Sequence, residues 1–277
     1  MHRLLLCAFL LLSGGLASAN DCVVLLHGLA RTSVSMNKME RELAAAGFLT
    51  ANIDYPSREN TVEELAMTAV PAGIAACRAQ GGVDTIHFVT HSLGGILVRQ
   101  YLSDHDLPEL GRVVMLGPPN QGSAAVDELR DVPGFDWLNG PAGRQLGKGE
   151  NSVPLQLGPA DFELGVIAGN RTIDPITSAV LENPDDGRVS VEDTRLEGMA
   201  DFIVVDHSHA FMMRMRRSCL RAAFSASEGI SAIATFSASV WITKYSSGIT
   251  NTPATVATSM PPTQPRYRVS TEPFSPS

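Results

Sequence analysis

Short apolar runs alternate with longer amphipathic stretches along most of the chain. Runs of this kind, without a polar residue at every second position, are typical of strands buried on both faces of a sheet. They predict six strands, at Cys22–Leu26, Leu49–Asp54, Thr85–Thr90, Arg112–Leu116, Leu164–Ala168 and Phe202–Val205.

The three stretches that connect the first four of these runs have helical spacing. They read SMNKMERELAAAG, TVEELAMTAVPAGIAACRAQ and GGILVRQYLSD, and the first closes at Gly47. Strands that alternate with helices form a mostly parallel sheet with right-handed crossovers and helices on both faces. The pattern therefore predicts an α/β fold with about six strands, whose chemistry lies in the loops at the carboxyl ends of the strands.

Length and charge narrow the class of protein. At 277 residues and 44% apolar composition, the chain is long enough for one sizeable domain. Its formal net charge is −8 and its pI is about 5.3. Because a nucleic-acid-binding surface needs a basic patch, this balance argues against nucleic acid as a partner.

Both ends of the chain differ from its centre. Residues 1–19 combine a basic start, an apolar run and the sequence Ala17-Ser18-Ala19, which is the pattern of a cleavable signal peptide and not of a membrane anchor. We therefore expect a secreted or periplasmic protein without integral membrane association. Residues 225–277 are rich in Ser, Thr and Pro and predict a disordered tail, which leaves 20–224 for the folded domain.

The segment FVTHSLGG places Ser92 where the third predicted strand turns into a helix. A very tight turn of this kind lifts the side chain at its apex clear of the sheet, provided that small residues flank it. Gly94 meets that requirement, whereas Thr90 stands where the G-x-S-x-G pattern has its first glycine. The backbone N–H groups of Leu93, at the helix start, and of Leu29, after Gly28, are candidates for an oxyanion hole.

These motifs resemble those of a known family. VVLLHGLAR, FVTHSLGGILVRQYL and MLGPPNQGS are together similar to the α/β-hydrolase fold, and within it to small secreted bacterial lipases and esterases. The likeness runs from about Cys22 to about Met213. It implies a serine nucleophile, an acid after a late strand and a histidine after the last strand, with no metal or organic cofactor. The modest length of the segment between GPPNQGS and the strand at Leu164 predicts a small or absent lid.

The resemblance carries the acid and the histidine to two positions of this chain. NPDDGRVSVEDT is similar to the acid loop of these lipases and assigns the acid to Asp186, with Asp185 as the competitor. VVDHSHAFMM assigns the base to His209, with His207 as the competitor. The expected triad is thus Ser92, Asp186 and His209.

The cysteines point to one disulfide. Removal of the signal peptide would leave Cys22, Cys77 and Cys219, an odd number for an oxidising compartment. In this fold the strand that begins at Cys22 neighbours the strand that follows Cys77. We therefore expect a Cys22–Cys77 bridge at the end of the sheet opposite the active site, the alternative being two buried thiols.

Taken together, the motifs predict an enzyme that cleaves carboxylic esters of small molecules or lipids through an acyl-enzyme on Ser92. The same three side chains would permit acyl transfer to an acceptor other than water. A non-catalytic binding protein on the hydrolase scaffold is the alternative from another class, because Thr90 departs from the usual pattern.

Overall fold

The computed structural model of the protein describes residues 20–214 and 267–270. Seven parallel strands form one sheet in the order β2-β1-β3-β4-β5-β6-β7. Their bounds are β1 Asp21–Leu26, β2 Leu49–Ile53, β3 Thr85–His91, β4 Leu110–Leu116, β5 Leu164–Gly169, β6 Asp201–Val205 and β7 Tyr267–Ser270.

The six apolar runs are all strands, so the predicted parallel sheet is confirmed. β4 begins two residues before its apolar run, because Leu110 already pairs with Ile86 of β3. The seventh strand was not predicted: Tyr267–Ser270 lies in the segment expected to be disordered and pairs with β6. The other residues of that tail, and the expected signal peptide at 1–19, lie outside the described residues.

Helices and helical turns connect the strands. The α-helices are α1 Asn37–Ala44, α2 Val62–Arg78, α3 Leu93–Leu102, α4 Ala124–Leu129, α5 Phe135–Arg144, α6 Val153–Gln156 and α7 Pro175–Ser178. Three 3₁₀ turns lie at Ser33–Met36, Glu192–Thr194 and His209–Arg214. The three helices expected from periodicity correspond to α1, α2 and α3.

The sheet is covered on both faces, as predicted. Along β1, successive side chains point to opposite sides of the sheet. Val24 and Leu26 pack with buried residues of α2 and α3, whereas Val23 and Leu25 pack with α1 and the turn at His209–Arg214. Each such fully buried side chain contributes about 1.5–3 kcal/mol relative to exposure, so both helical layers are held firmly to the sheet.

A disulfide joins Cys22 to Cys77, with the two Cα atoms 5.8 Å apart. The bridge ties the amino end of β1 to the last turn of α2. It confirms the predicted pairing. The bridge lies at the amino ends of the strands, which is the end of the sheet opposite their carboxyl ends. Cys219 falls outside the described residues.

Within residues 20–214 and 267–270, no helix has the length and apolar character needed to cross a bilayer.

Candidate active site

Ser92 is the apex of the turn between β3 and α3. Its backbone has φ 52° and ψ −119°, a conformation that side-chain-bearing residues seldom adopt. The Ser92 N–H donates to the carbonyl of Leu116 on the neighbouring strand β4, at 2.9 Å. The sheet thus holds the strained turn in place, and α3 begins at the next residue, Leu93.

Two glycines allow this turn to form. A Cβ atom on Gly94 would lie 2.7 Å from the carbonyl oxygen of Leu26, so the start of α3 approaches β1 too closely for any side chain there. A Cβ on Gly28 would lie 3.2 Å from the Ser92 Cβ and 2.6 Å from His91 Nδ1. The loop after β1 therefore lies directly against the serine turn.

Thr90 fits the turn in spite of its departure from the glycine pattern. Its side chain is fully buried, and its hydroxyl lies 3.4 Å from the carbonyl oxygen of Val114. Space for it exists because Gly95 has no side chain: a Cβ there would lie 3.2 Å from Thr90 Oγ1 and 3.0 Å from Met115 Sδ. Gly95 thus provides the space for Thr90, which stands in place of the first glycine of the G-x-S-x-G pattern.

Asp186 and His209 are in direct contact. The distance from His209 Nδ1 to Asp186 Oδ2 is 2.8 Å. The backbone N–H of His209 also donates to the backbone carbonyl oxygen of Asp186, at 2.9 Å. The other carboxylate oxygen accepts from the N–H groups of Arg188, at 3.0 Å, and Val189, at 2.9 Å. The carboxylate is buried and its orientation is fixed from both sides.

The competing residues have other partners. Asp185 accepts hydrogen bonds from the Gly187 N–H, at 2.7 Å, and the Ser178 hydroxyl, at 2.6 Å, so it stabilises the turn that carries Asp186. His207 is not among the hydrogen-bond partners of Asp186, and its Nδ1 is buried without a hydrogen-bond partner. The geometry therefore pairs Asp186 with His209 and leaves Asp185 and His207 outside the pair.

His91 connects the serine turn to His209. It directly precedes Ser92, and its Nε2 lies 3.0 Å from the His209 carbonyl oxygen, where Nε2–H donates. The two imidazole rings lie 4.8 Å apart. Burial lowers the pKa of His91 well below 6.5, and the nearby His209 lowers it further, so His91 is a neutral donor that positions the backbone of His209.

His27 supports the loop on the other side of Ser92. Its ring is fully buried and stacks on Tyr55 at 4.0 Å between centroids, and the Tyr55 hydroxyl donates to the His27 carbonyl oxygen. Burial lowers the pKa of His27. These contacts fix the backbone that leads into Gly28 and Leu29, so His27 has a structural role.

The predicted oxyanion-hole residues lie on the two segments that meet at Ser92. Leu93 is the first residue of α3, where backbone N–H groups have no acceptor within the helix. Leu29 follows Gly28, and the next residue, Ala30, has φ 54° and donates its N–H to Ser57 Oγ at 3.1 Å. The assignment of Leu29 and Leu93 as donors stays a prediction.

A buried arginine orders the segment between β4 and β5. Arg99 of α3 is 4% exposed and donates to the carbonyl oxygens of Asn120, Pro154 and Gly158 at 2.8–3.2 Å. Burial lowers its pKa to about 10. The helices α4, α5 and α6 lie in this segment, and a Cβ on Gly143 of α5 would lie 3.2 Å from Leu29 Cδ2. The expectation of a small or absent lid stays a prediction.

Sequence reasoning missed two contributors to this site. Gly117, with φ 54°, follows β4 and brings the backbone so close that a Cβ would lie 3.0 Å from Asp186 Oδ2 and 3.1 Å from His209 Nδ1. Its position after a strand end, at the start of GPPNQGS, was the available signal. The contact from His91 to the His209 carbonyl joins residues 118 positions apart, and nothing in the sequence indicates it.

Solved structures share this architecture. The mature lipase BlEst2 of Bacillus licheniformis is 20% identical, with a TM-score of 0.56 over 70% of this chain and 87% of the lipase. Phospholipase PlaB of Legionella pneumophila is 19% identical, with a TM-score of 0.57 over 75% and 58%. The metagenomic carboxyl esterase MGS0156 is 19% identical, with a TM-score of 0.50 over 68% and 64%.

These similarities establish a shared fold. The chain spans less than two thirds of the length of PlaB and of MGS0156. No family model and no curated protein sequence matches it. Any reaction must therefore be argued from the site itself.

Proposed function

We propose that this chain, which has the α/β-hydrolase fold, is a serine hydrolase that cleaves carboxylic esters through an acyl-enzyme on Ser92. The observation that carries the proposal is the 2.8 Å contact between His209 Nδ1 and Asp186 Oδ2 beside the strained Ser92 turn. The similar folds of a lipase and a carboxyl esterase support it.

The reaction needs each of the three side chains. A serine hydroxyl does not ionise near neutral pH, so His209 Nε2 takes its proton as Ser92 Oγ attacks the ester carbonyl. Asp186 keeps the proton of His209 on Nδ1, which leaves Nε2 free to act as the base, and it stabilises the imidazolium that forms. The imidazolium then returns the proton to the leaving alcohol. Attack of water on the acyl-enzyme repeats the same steps.

The tetrahedral intermediate carries a negative charge on the former carbonyl oxygen. In our proposal the N–H groups of Leu93 and Leu29 donate to that oxygen, and the positive end of the α3 dipole adds to the stabilisation. Removal of one such donor typically costs about 10²–10³ in kcat.

We further propose that the protein acts outside the cytoplasm. The Cys22–Cys77 disulfide supports this location, because disulfides persist in oxidising compartments. The signal-peptide pattern at 1–19 agrees with it.

The first test is hydrolysis of p-nitrophenyl acetate, butyrate and palmitate by the mature protein and by Ser92→Ala. The control is Ser103→Ala, which removes an exposed hydroxyl at the other end of α3. We expect loss of activity in Ser92→Ala alone and covalent labelling of Ser92 by a fluorophosphonate. A folded protein that is inert and unlabelled would instead be a binding protein on this scaffold, and ester products formed with added alcohols would indicate an acyltransferase.

A further inference from the structure

A cavity of about 720 Å³ opens next to the candidate active site, between α1 and the turn at His209–Arg214. One wall is the loop that contains Ala30 and Arg31, and another is Ala210, the residue after His209. Its volume lies within the range of small-molecule binding sites, about 300–1,000 Å³. The cavity is therefore bordered by neighbours of both Leu29 and His209.

The charged side chains that line this cavity are all basic. They are Arg31, Lys38, Arg41 and Arg214, and no carboxylate is among the lining residues. In the described part of the chain, no ion pair involves any of the four. Such a concentration of positive charge is unexpected in a chain with a net charge of −8, and it attracts anions.

Acidic groups on the neighbouring elements have other partners. Glu40 of α1 accepts a hydrogen bond from Asn52 Nδ2 at 3.1 Å. Asp54, after β2, accepts from the Ser33 N–H at 2.8 Å and lies 3.7 Å from His27 Nε2. Neither carboxylate lines the cavity. Lys38 Nζ donates to the Arg214 carbonyl oxygen at 2.7 Å, so we expect Arg31 and Arg41 to be the main groups that meet a ligand.

The charge of the cavity reaches the active site. Arg31 is one of the charges that lower the pKa of His91, which lies beside Ser92. Two apolar side chains, Val34 and Met213, share the lining with the basic ones. A ligand with an anionic group and a short apolar portion would match both kinds of surface.

We propose that this cavity binds the phosphate group of the substrate, so that the preferred substrates are acyl esters of a phosphorylated alcohol. Arginine suits such a group because its planar guanidinium forms paired, charge-assisted hydrogen bonds with phosphate oxygens. The inference rests on the proposed ester hydrolysis at Ser92, since it concerns which esters that serine receives.

The test compares two esters that differ only in phosphate: 1-butyrylglycerol 3-phosphate and 1-butyrylglycerol. We expect kcat/KM of the wild-type protein to be at least about tenfold higher for the phosphorylated ester, and added salt to reduce that preference. In the double variant Arg31→Gln/Arg41→Gln the ratio of the two kcat/KM values falls by about tenfold or more. Arg78→Gln, an exposed arginine at the opposite end of the sheet, leaves the ratio unchanged.

Calorimetry gives a readout that does not need catalysis. Glycerol 3-phosphate and inorganic phosphate are titrated into the full Ser92→Ala chain, with and without the Arg31→Gln/Arg41→Gln changes. We expect glycerol 3-phosphate to bind, the double change to abolish binding, and glycerol 3-phosphate to compete with the phosphorylated ester in the active enzyme. Inorganic phosphate that binds equally well but does not compete with the ester would overturn the substrate role and indicate a site for free phosphate.

The two proposals fail in different ways. Equal kcat/KM values for the two esters, unaffected by the double variant, would overturn the phosphate site while ester hydrolysis stands. If neither ester is cleaved and Ser92 is not labelled by a fluorophosphonate, ester hydrolysis fails. The calorimetric titration is then the remaining test of the phosphate site. Binding of glycerol 3-phosphate that depends on Arg31 and Arg41 supports the site, and absence of binding overturns it.

Discussion

The carboxylate of Asp186 lies between His209 and the backbone of its own turn. One oxygen is 2.8 Å from His209 Nδ1, and the other accepts from the N–H groups of Arg188 and Val189. The carboxylate therefore cannot rotate without loss of the hydrogen bonds to both of its oxygens. A fixed carboxylate fixes the imidazole tautomer, and the tautomer decides whether His209 can act as a base.

Exchange of this carboxylate for an amide should abolish most of the activity. We expect Asp186→Asn to lower kcat for p-nitrophenyl butyrate by about 10⁴, because an amide can favour the wrong tautomer of His209. Asp185→Asn is the matched control: its carboxylate bonds to Gly187 and Ser178 and not to a histidine. We expect it to retain kcat within about tenfold of wild type. A larger loss of kcat in Asp185→Asn than in Asp186→Asn would contradict the assignment of Asp186 as the acid.

Gly28 should tolerate no side chain. A methyl group there would lie 2.6 Å from His91 Nδ1 and 3.2 Å from the Ser92 Cβ, so Gly28→Ala must displace the serine turn. A shift of about 1 Å in a reacting group can cost about 10²-fold in rate, and we expect a loss of that size in kcat. Gly149→Ala, whose added methyl group would meet no atom closer than 3.4 Å, is the control. Full activity of Gly28→Ala would show that the loop after β1 does not fix the serine turn.

The Cys22–Cys77 disulfide should stabilise the fold without affecting the chemistry. It closes a loop with a sequence separation of 55, for which chain entropy predicts about 4 kcal/mol of stabilisation. We expect Cys22→Ala/Cys77→Ala to lower the free energy of unfolding in urea by about 2–5 kcal/mol. Because the bridge lies at the end of the sheet away from Ser92, kcat at low temperature should stay at the wild-type value. An unchanged urea midpoint, or free thiols at Cys22 and Cys77 in the unreduced protein, would refute the prediction.

The strands could be predicted because burial leaves a direct trace in a sequence. A strand covered by helices on both faces must be apolar at nearly every position, and β1, β5 and β6 have that composition. β7 leaves no such trace: the sequence Tyr-Arg-Val-Ser is short and half polar, and it lies in a segment rich in Ser, Thr and Pro. Only its pairing with β6 identifies it as a strand.

At the candidate site, the sequence left one competitor for each of two predicted residues: Asp185, one position from Asp186, and His207, two positions from His209. Adjacent carboxylates in Asp185-Asp186 differ only in the direction of their side chains, and that direction depends on the turn through Gly187, which has φ 94°. The choice between His207 and His209 depends in the same way on the path of the chain after β6. Such choices are made by backbone geometry over a few residues, and motif spacing carries no information about it.

Arg99 should be required for stability. It is buried, and its guanidinium satisfies the carbonyl oxygens of Asn120, Pro154 and Gly158. Arg99→Met would leave these acceptors without a donor, so we expect a loss of about 2–4 kcal/mol in the free energy of unfolding, measured in urea. Arg78→Met, in which the lost pair with Glu109 lies at the solvent-screened surface, should cost clearly less than Arg99→Met. Equal losses in the two variants would mean that Arg99 does not order the segment between β4 and β5.

Stability should decline in mild acid, in part because of His91. Burial lowers the pKa of this imidazole in the folded protein well below 6.5, with further lowering by His209, Arg31 and His27. The unfolded chain therefore binds a proton at a higher pH than the folded one. The stabilisation is complete above pH 6.5 and is lost progressively as the pH falls from 6.5 towards the folded-state pKa. His27, His87 and His207 also have lowered pKa values, chiefly through burial, and act in the same direction.

The contribution of His91 can be isolated by substitution. His91→Asn keeps an N–H donor but cannot take up a proton in this range. We expect the free energy of unfolding to fall less steeply in this variant than in wild type between pH 6.5 and pH 5, by up to about 1.4 kcal/mol per pH unit. Urea unfolding of both proteins at several pH values measures the two slopes. Equal slopes would mean that His91 is protonated in the folded protein, and the hydrogen bond that it donates to His209 would then have to be maintained by a charged imidazole.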